Sequence, residues 1–407
     1  MGKYMKVVIT GCGVISSLGN DPQTMFESLL KNETGVKAFP DWKKYNGLHS
    51  FLGAPAKPYD EKTIPRSARR SMSRMSEMAV LASKQALSHA RLSLTGDNLR
   101  NLLILGSTTG SPDTLETYFK KLIEKGGPEG QLSTSFFKVM NHSVAANVAM
   151  GLEVKIPNLA PSSACSSSSQ AIALGWELLQ TGLYDVVVAG GADELHYTST
   201  AVFDNVLAAS RGYNDSPSMS PRPFDQKRDG LVVSEGAAIV ILETEEHAKK
   251  REARILGELV SGSYYCDGNH MAQPQSDSMI VAMNEALRRG GVNASDVGYV
   301  NAHATGTILG DIQEAKATFE VFGDKVPVSS LKGHFGHSLA ACGSMEIIAS
   351  LEMMHRNILI PTRNLETPDP ECGGLNLIQT PVEQKTQYAL SNNFAFGGMN
   401  TSLILKV

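Results

Sequence analysis

The chain has 407 residues, 42% hydrophobic and 19% charged, which supplies a large core and excludes a disordered protein. That length suits two or three compact units, or one large two-part unit. A net charge of -4, from 37 basic and 41 acidic residues, excludes a globally basic nucleic-acid binder but not a local basic patch.

The N-terminus runs straight into a strand-like segment, KVVITGCG, without a signal-peptide apolar region. Lys6 stands where a myristoylated Gly2 would need Ser or Thr. No apolar run approaches the roughly 18 residues of a membrane span. Cys12, Cys165, Cys266, Cys342 and Cys372 are scattered, with no C-x-x-C pair. An odd count of this kind points to free thiols in a reducing compartment. A soluble cytoplasmic protein, with no membrane or nucleic-acid partner, is the expectation.

Further along come NLLILGSTTG, DVVVAGGAD, GYVNAHATGT and VPVSSLKGHFGH, β-branched runs ending in glycine or small polar residues. Such runs suit buried strands covered on both faces. Helical patterns lie between them, as in SRMSEMAVLASKQALSHARL and SMIVAMNEALRRGG. The alternation predicts an α/β fold with a mostly parallel core. It also occurs twice. EGAAIVILETEEHAKKREA closes a first half, and RILGELVSGSYYCDG opens a second. The terminal YALSNNFAFGGMNTSLILKV echoes DVVVAGGAD…EGAAIVILE. The expected division is 1–252, carrying a candidate nucleophile, and 253–407, with no flexible linker between.

Cys165 lies in SSACSSSSQAIALGWELLQTG, where a helix pattern begins. A helix N-terminus favours a thiolate, so a lowered thiol pKa is expected. An inert buried cysteine in a tight turn is the plain alternative. His303, with Thr305 and Thr307, follows a strand, where parallel α/β proteins place ligands. Lys332 and His337 follow another. His334 and His337 are three apart, but no cysteine or carboxylate cluster completes a zinc-like site. Gly397 and Gly398 allow an irregular loop whose N–H groups face a ligand. One cysteine and two histidines, each beyond a strand, fit a cysteine acyl-enzyme.

The order SSACSSSS, NAHATGT, LKGHFGH, NNFAFGG, with SPRPFDQKRDGLVVSEGAAIVILE and TPDPECGGLNLI, resembles the elongating β-ketoacyl-acyl carrier protein synthases of the thiolase superfamily. The likeness runs over essentially the whole chain. It implies a duplicated five-layer α-β-α-β-α fold, usually dimeric, and a decarboxylating Claisen condensation. No cofactor is implied for catalysis; the carrier's phosphopantetheine arm brings the substrates. Cys165 matches the nucleophile. His303 and His337 match the pair that promotes malonyl decarboxylation and holds the enolate. Lys332 matches the organising lysine, with Glu314 as its expected ion-pair partner. The N–H groups of Cys165 and Phe396 match the oxyanion hole, and Phe396 with Gly397 the gate. Thr305 and Thr307 match hydroxyls beside the phosphopantetheine arm. Asn301, Glu346, Ser391 and Asn392 match a structural cation site of some members.

Ala304, Gly306, Ala395 and Met399 depart from the family pattern, and Thr109 falls where fatty-acid elongators often carry a pocket-gating isoleucine. These departures leave a specialised polyketide or polyene pathway open beside fatty-acid synthesis. Arg66, Arg70 and Arg74, four apart, with Arg69 close by, predict a basic stripe on one helix face for docking an acidic carrier protein. The partner subunit is expected to be a second copy or a related non-catalytic chain-length protein. This chain is not itself that protein, because such proteins lack the active cysteine. A thiolase would need a second cysteine near the C-terminal glycine loop, and NNFAFGGMN has none. A cysteine hydrolase has no use for the two histidines and lysine.

Overall fold

The computed structural model describes residues 5–94 and 98–407. Gly2 and its myristoylation context lie outside the described residues. Strand β1 (Val7–Ile15) is buried along its whole length. A Cβ on Gly11 or Gly13 would come within 2.2 or 2.0 Å of the carbonyl oxygens of Ala86 and Ala82. Those alanines belong to α1 (Arg74–Ala90), so bare backbone and small side chains bring strand and helix into direct contact.

With β1, strands β2 (Asn101–Gly106), β3 (Asn158–Leu159), β4 (Val186–Asp193) and β5 (Gly236–Thr244) line up as β3-β2-β4-β5-β1. The second set is β6 (Gly257–Cys266), β7 (Val297–Asn301), β8 (Pro327–Ser329), β9 (Asn376–Leu377), β10 (Tyr388–Ala395) and β11 (Met399–Lys406). It lines up as β9-β8-β7-β10-β11-β6. With β9 set aside, the pairings repeat: parallel, parallel, antiparallel, antiparallel. The echo between the chain's end and DVVVAGGAD…EGAAIVILE is the equivalence of β10 and β11 with β4 and β5. The two sets join where Val7, Val8 and Ile9 pair with Leu259, Glu258 and Gly257. We propose the division at residue 252, in the connection between Thr244 and β6.

Helix α1 covers the outer face of the first set. Helix α2 (Ser167–Gln180) turns Ala171, Ile172, Trp176 and Leu179 into the middle of the molecule. Helices α3 (Ser276–Gly290) and α4 (Ile308–Phe322) cover the far side of the second set. Helix α5 (Cys342–Arg356) returns to the middle beside α2. It is buried almost all round, as a helix between the two strand sets must be. The layers therefore read α-β-α-β-α. Among the described residues no helix is long and apolar enough to cross a membrane.

Candidate active site

Cys165 sits in a single 3-10 turn, Ala164–Ser166, that leads into α2. Ala164 is held at φ +49°, a left-handed conformation that bends the chain sharply before the cysteine. The serines that follow are staples rather than mere small residues. Ser166 Oγ lies 2.8 Å from the carbonyl oxygens of both Asn393 and Met399, which share its one O–H. Ser167 Oγ donates to Ala164 O at 2.7 Å and accepts from Ser163 N at 3.0 Å. Ser168 Oγ accepts from Ser344 N at 3.0 Å, tying α2 to α5. The nucleophile's turn is thereby fixed to the glycine-rich loop after β10.

The lowered thiol pKa expected from the helix start is corrected. Burial pushes the Cys165 thiol up to about 12; the Lys332 charge and the N–H groups of Cys165 and Phe396 oppose this, while Asp193 adds to it. The thiol stays protonated near neutrality and gives up its proton only as it attacks. Alkylation of Cys165 by iodoacetamide should therefore climb about tenfold per pH unit from pH 6 to 9, because thiolate is the reacting form. Peptide-resolved mass spectrometry checks this, and a plateau at or below pH 7 would show a stabilised thiolate instead.

His303 and His337 face Cys165, with the thiol sulfur and a ring nitrogen of each histidine within 4.8 Å of one another. The rings meet nearly edge to face, 5.2 Å between centroids. Burial, reinforced by the Lys332 charge, holds both well below the ordinary imidazole value, so both are neutral hydrogen-bonding groups at pH 7. The spacing of these three atoms would also suit a metal ion. His334 lies apart, its two ring nitrogens on the carbonyls of Glu33 and Pro361.

Lys332 is fully buried, its Nζ 2.5 Å from Glu346 Oε1. The expected Lys332–Glu314 pair is thus corrected. Glu346 projects from α5 toward the lysine, while Glu314, on α4, accepts the backbone N–H of His303 at 2.7 Å. Burial pushes the Glu314 carboxyl up to about 8. Of the residues of the suggested cation site, Glu346 holds Lys332 with one oxygen, accepts from Asn393 Nδ2 at 2.7 Å with the other, and is also hydrogen-bonded by Asn301. Ser391 Oγ accepts from Asn301 Nδ2, and Asn392 Oδ1 accepts from Ser402 Oγ. Of the candidate ligand oxygens, Asn301 Oδ1 lacks a partner among the described residues.

A cavity of about 350 Å³ reaches from Cys165, His303 and His337 past Thr305 and Thr307 to an apolar mouth at Leu207, Met271 and Leu309. Thr305 Oγ1 donates to Thr307 Oγ1 at 3.1 Å. Asp311 accepts the N–H groups of Thr305 and Gly306, and Arg228 Nε donates to Thr307 O, fixing the loop beyond β7. Phe396 borders the cavity, its ring 5.5 Å from that of Phe203. Ala395 ends β10 outside the positive-φ region, and the sharp turn falls at Gly397 (φ +84°) and Gly398 (φ +70°). The Gly397 N–H does not face a ligand as expected; it donates to Met271 O at 2.7 Å. Thr109 lies outside the lining of this cavity. It belongs to the turn at Ser107–Ser111, whose Ser107 hydroxyl and Thr108 N–H are held by Asp193.

The arginine stripe is also corrected. Arg66 and Arg69 lie on a single turn, Arg66–Arg69, and a new helix begins at Arg74, so the spacing of four does not run along one face. Arg74 grips buried Glu235 through Nε and Nη2, and Arg69 stands 3.9 Å from Glu61. Arg66 and Arg70 remain exposed. Arg74→Ala should lower stability by about 1–3 kcal/mol, because Glu235 would be left buried without its partner. Arg70→Ala should cost less than about 0.5 kcal/mol. Urea unfolding of both variants measures this, and equal stabilities would contradict it.

Asn393, Asp193, Asp311 and Arg228 escaped the sequence reading. Arg228 and Asp311 had a signal in RDG and in the acidic first turn after Thr307; Asn393 and Asp193 had none beyond standing near strand ends.

Residues 5–248 match the family model "Beta-ketoacyl synthase, N-terminal domain", and residues 256–366 match "Beta-ketoacyl synthase, C-terminal domain". The 3-oxoacyl-acyl-carrier-protein synthase 1 of Escherichia coli (strain K12) is 35% identical over 407 residues, covering 98% of each chain. The crystal structure of a β-ketoacyl synthase from Burkholderia phymatum STM815 superposes with a TM-score of 0.95 at 41% identity, over 99% of both chains. The ishigamide ketosynthase/chain length factor gives 0.92 at 25% identity over 100% of both.

Proposed function

Because the chain belongs to the β-ketoacyl synthase family, we propose that Cys165, His303, His337 and Lys332 carry out its condensation of a bound acyl chain with malonyl-acyl carrier protein. The reaction is an acyl transfer by a 3-oxoacyl-acyl-carrier-protein synthase. The observation that carries the residue assignment is the convergence of one thiol and two neutral imidazoles within 4.8 Å, beside the N–H groups of Cys165 and Phe396.

In the first half, the carrier-bound acyl carbonyl enters the cavity. Cys165 Sγ bonds to its carbon, the carrier sulfur leaves, and the thiol proton passes to that sulfur. The N–H groups of Cys165 and Phe396 hold the oxyanion. In the second half, malonyl thioester loses carbon dioxide as its C–C bond breaks. The electron pair becomes an enolate, whose oxygen takes hydrogen bonds from His303 and His337. Neutral imidazoles donate these bonds without first gaining a proton. The enolate carbon then bonds to the acyl carbon as the bond to Cys165 Sγ breaks, and the leaving thiolate takes a proton from solvent, the one proton that the overall reaction consumes. Lys332, paired with Glu346, holds a positive charge near all three groups. Thr305 and Thr307 face the phosphopantetheine arm, and Arg66 and Arg70 meet the acidic carrier.

Incubating the protein with a panel of acyl carriers and malonyl carrier tests this reading. The expected result is stoichiometric carbon dioxide and a product two carbons longer with a β-keto group. Carbon dioxide release without chain extension from any acyl carrier would contradict it.

The resemblance to a ketosynthase/chain length factor favours a second reading, the active half of a heterodimer. Ile123 on the helix Pro112–Lys125, Phe137 on the helix Ser133–Val139 and Leu132 just before that helix are exposed. We assign this apolar surface to the subunit interface, whether with a second copy or a related chain. A stable dimer of the purified chain alone supports the first, and a monomer the second.

A further inference from the structure

Asn393 lies on β10 behind the two histidines, fully buried, and the steps above give it no role. Its amide orientation follows from its neighbours. Nδ2 is 2.7 Å from Glu346 Oε2, and a carboxylate paired with Lys332 is ionised and accepts only. The NH₂ group must therefore point toward Glu346, which sends Oδ1 the other way. An amide nitrogen carries two hydrogens. The same Nδ2 is 3.4 Å from His303 Nδ1 and 3.5 Å from Cys342 Sγ.

A neutral imidazole has one N–H and one lone pair. With a donor opposite Nδ1, the lone pair belongs on Nδ1 and the proton on Nε2. Asn393 Nδ2 gives one hydrogen to Glu346 and turns the other toward Nδ1. We propose that Asn393 is a positioning residue that locks His303 in the Nε2–H tautomer, presenting that N–H to the substrate oxygen.

Two features set Asn393 apart from a residue chosen for packing. Its Oδ1 is buried and has no hydrogen-bond partner among the described residues. An apolar side chain would avoid that penalty, and such orphans call for an explanation. The space for Oδ1 exists because residue 343 is glycine: a Cβ there would come within 2.5 Å of the oxygen. The helix start of α5 thus accommodates this amide at a cost. The choice of tautomer decides whether His303 stabilises an enolate or opposes it with a lone pair, and a wrong tautomer severely impairs histidine-dependent enzymes.

This inference rests on the role of His303 proposed above, but its main readout needs no turnover. Nitrogen-15 labelling of histidine, with long-range proton correlation, distinguishes protonated from unprotonated ring nitrogens. His303→Gln identifies the His303 signals by their loss. The parent protein should show protonated Nε2 and unprotonated Nδ1 for His303. Asn393→Asp reverses the facing group from donor to acceptor and should move the proton to Nδ1. Asn393→Ser, which is smaller and uncharged, should give a mixture of tautomers. Malonyl decarboxylation should fall roughly 10–100-fold in both, as for other lost positioning contacts, and acyl transfer to Cys165 should fall less. A parent His303 protonated on Nδ1 overturns the inference. So does an unchanged tautomer in the folded variant together with decarboxylation within about twofold of the parent, since no effect then flows through Asn393. Absence of condensation with the expected tautomer present would refute the proposed function alone.

Discussion

Lys332→Met should lower stability by about 3–5 kcal/mol, because it leaves the Glu346 carboxylate buried and unpaired. It should also slow malonyl decarboxylation roughly 10²–10³-fold, the scale of losing a preorganised charge in a dry site. The geometry separates the two effects. Lys332 and Glu346 are both fully buried, with Nζ 2.5 Å from the carboxylate. Removing both charges as Lys332→Met with Glu346→Leu should restore much of the stability, since a well-packed apolar pair is often as stable as a buried ion pair. It should restore no activity. Urea unfolding and carbon dioxide release on the three variants make the comparison. A single variant as stable as the parent, or a double variant that regains decarboxylation, would remove Lys332 from its assigned role.

The second large effect belongs to the histidines. His303→Ala and His337→Ala should each reduce decarboxylation roughly 10²–10³-fold, because an enolate oxygen loses one of two placed donors. Acyl transfer to Cys165 should fall less, since the N–H groups of Cys165 and Phe396 still receive that oxyanion. Single-turnover assays separate the half-reactions. Both variants decarboxylating at the parent rate would refute the assignment.

What the sequence disclosed follows the range over which side chains act. Cys165, His303, Lys332 and His337 each stand just beyond a strand, so local pattern was enough to find them. The lysine's partner was not local. Glu314 and Glu346 both lie on helices that begin within a few residues of the site, and only the packing of α5 against the second strand set brings Glu346 to the amine. The arginine spacing misled because the helix does not continue through 70–73, and Arg74 is drawn inward by Glu235, far off in sequence. The serine run shows no partner locally, because the Ser166 hydroxyl binds backbone groups 227 and 233 residues away. The thiol's pKa was misjudged because the helix-start argument is local while burial belongs to the whole fold. The duplication was visible as an echo of strands, and its full extent lies in strand order, which literal identity does not record.

The central claim is that Cys165 carries the growing chain through a condensation driven by decarboxylation. Intact and peptide mass spectrometry of the protein, quenched after mixing with an acyl carrier and again after adding malonyl carrier, tests it most directly. The account predicts an acyl mass on the Cys165 peptide in the first sample. In the second, that mass should disappear as carbon dioxide and a β-ketoacyl carrier appear in equal amounts. Acyl label confined to Cys12, Cys266, Cys342 or Cys372, or a Cys165 thioester that malonyl carrier does not discharge, would contradict it.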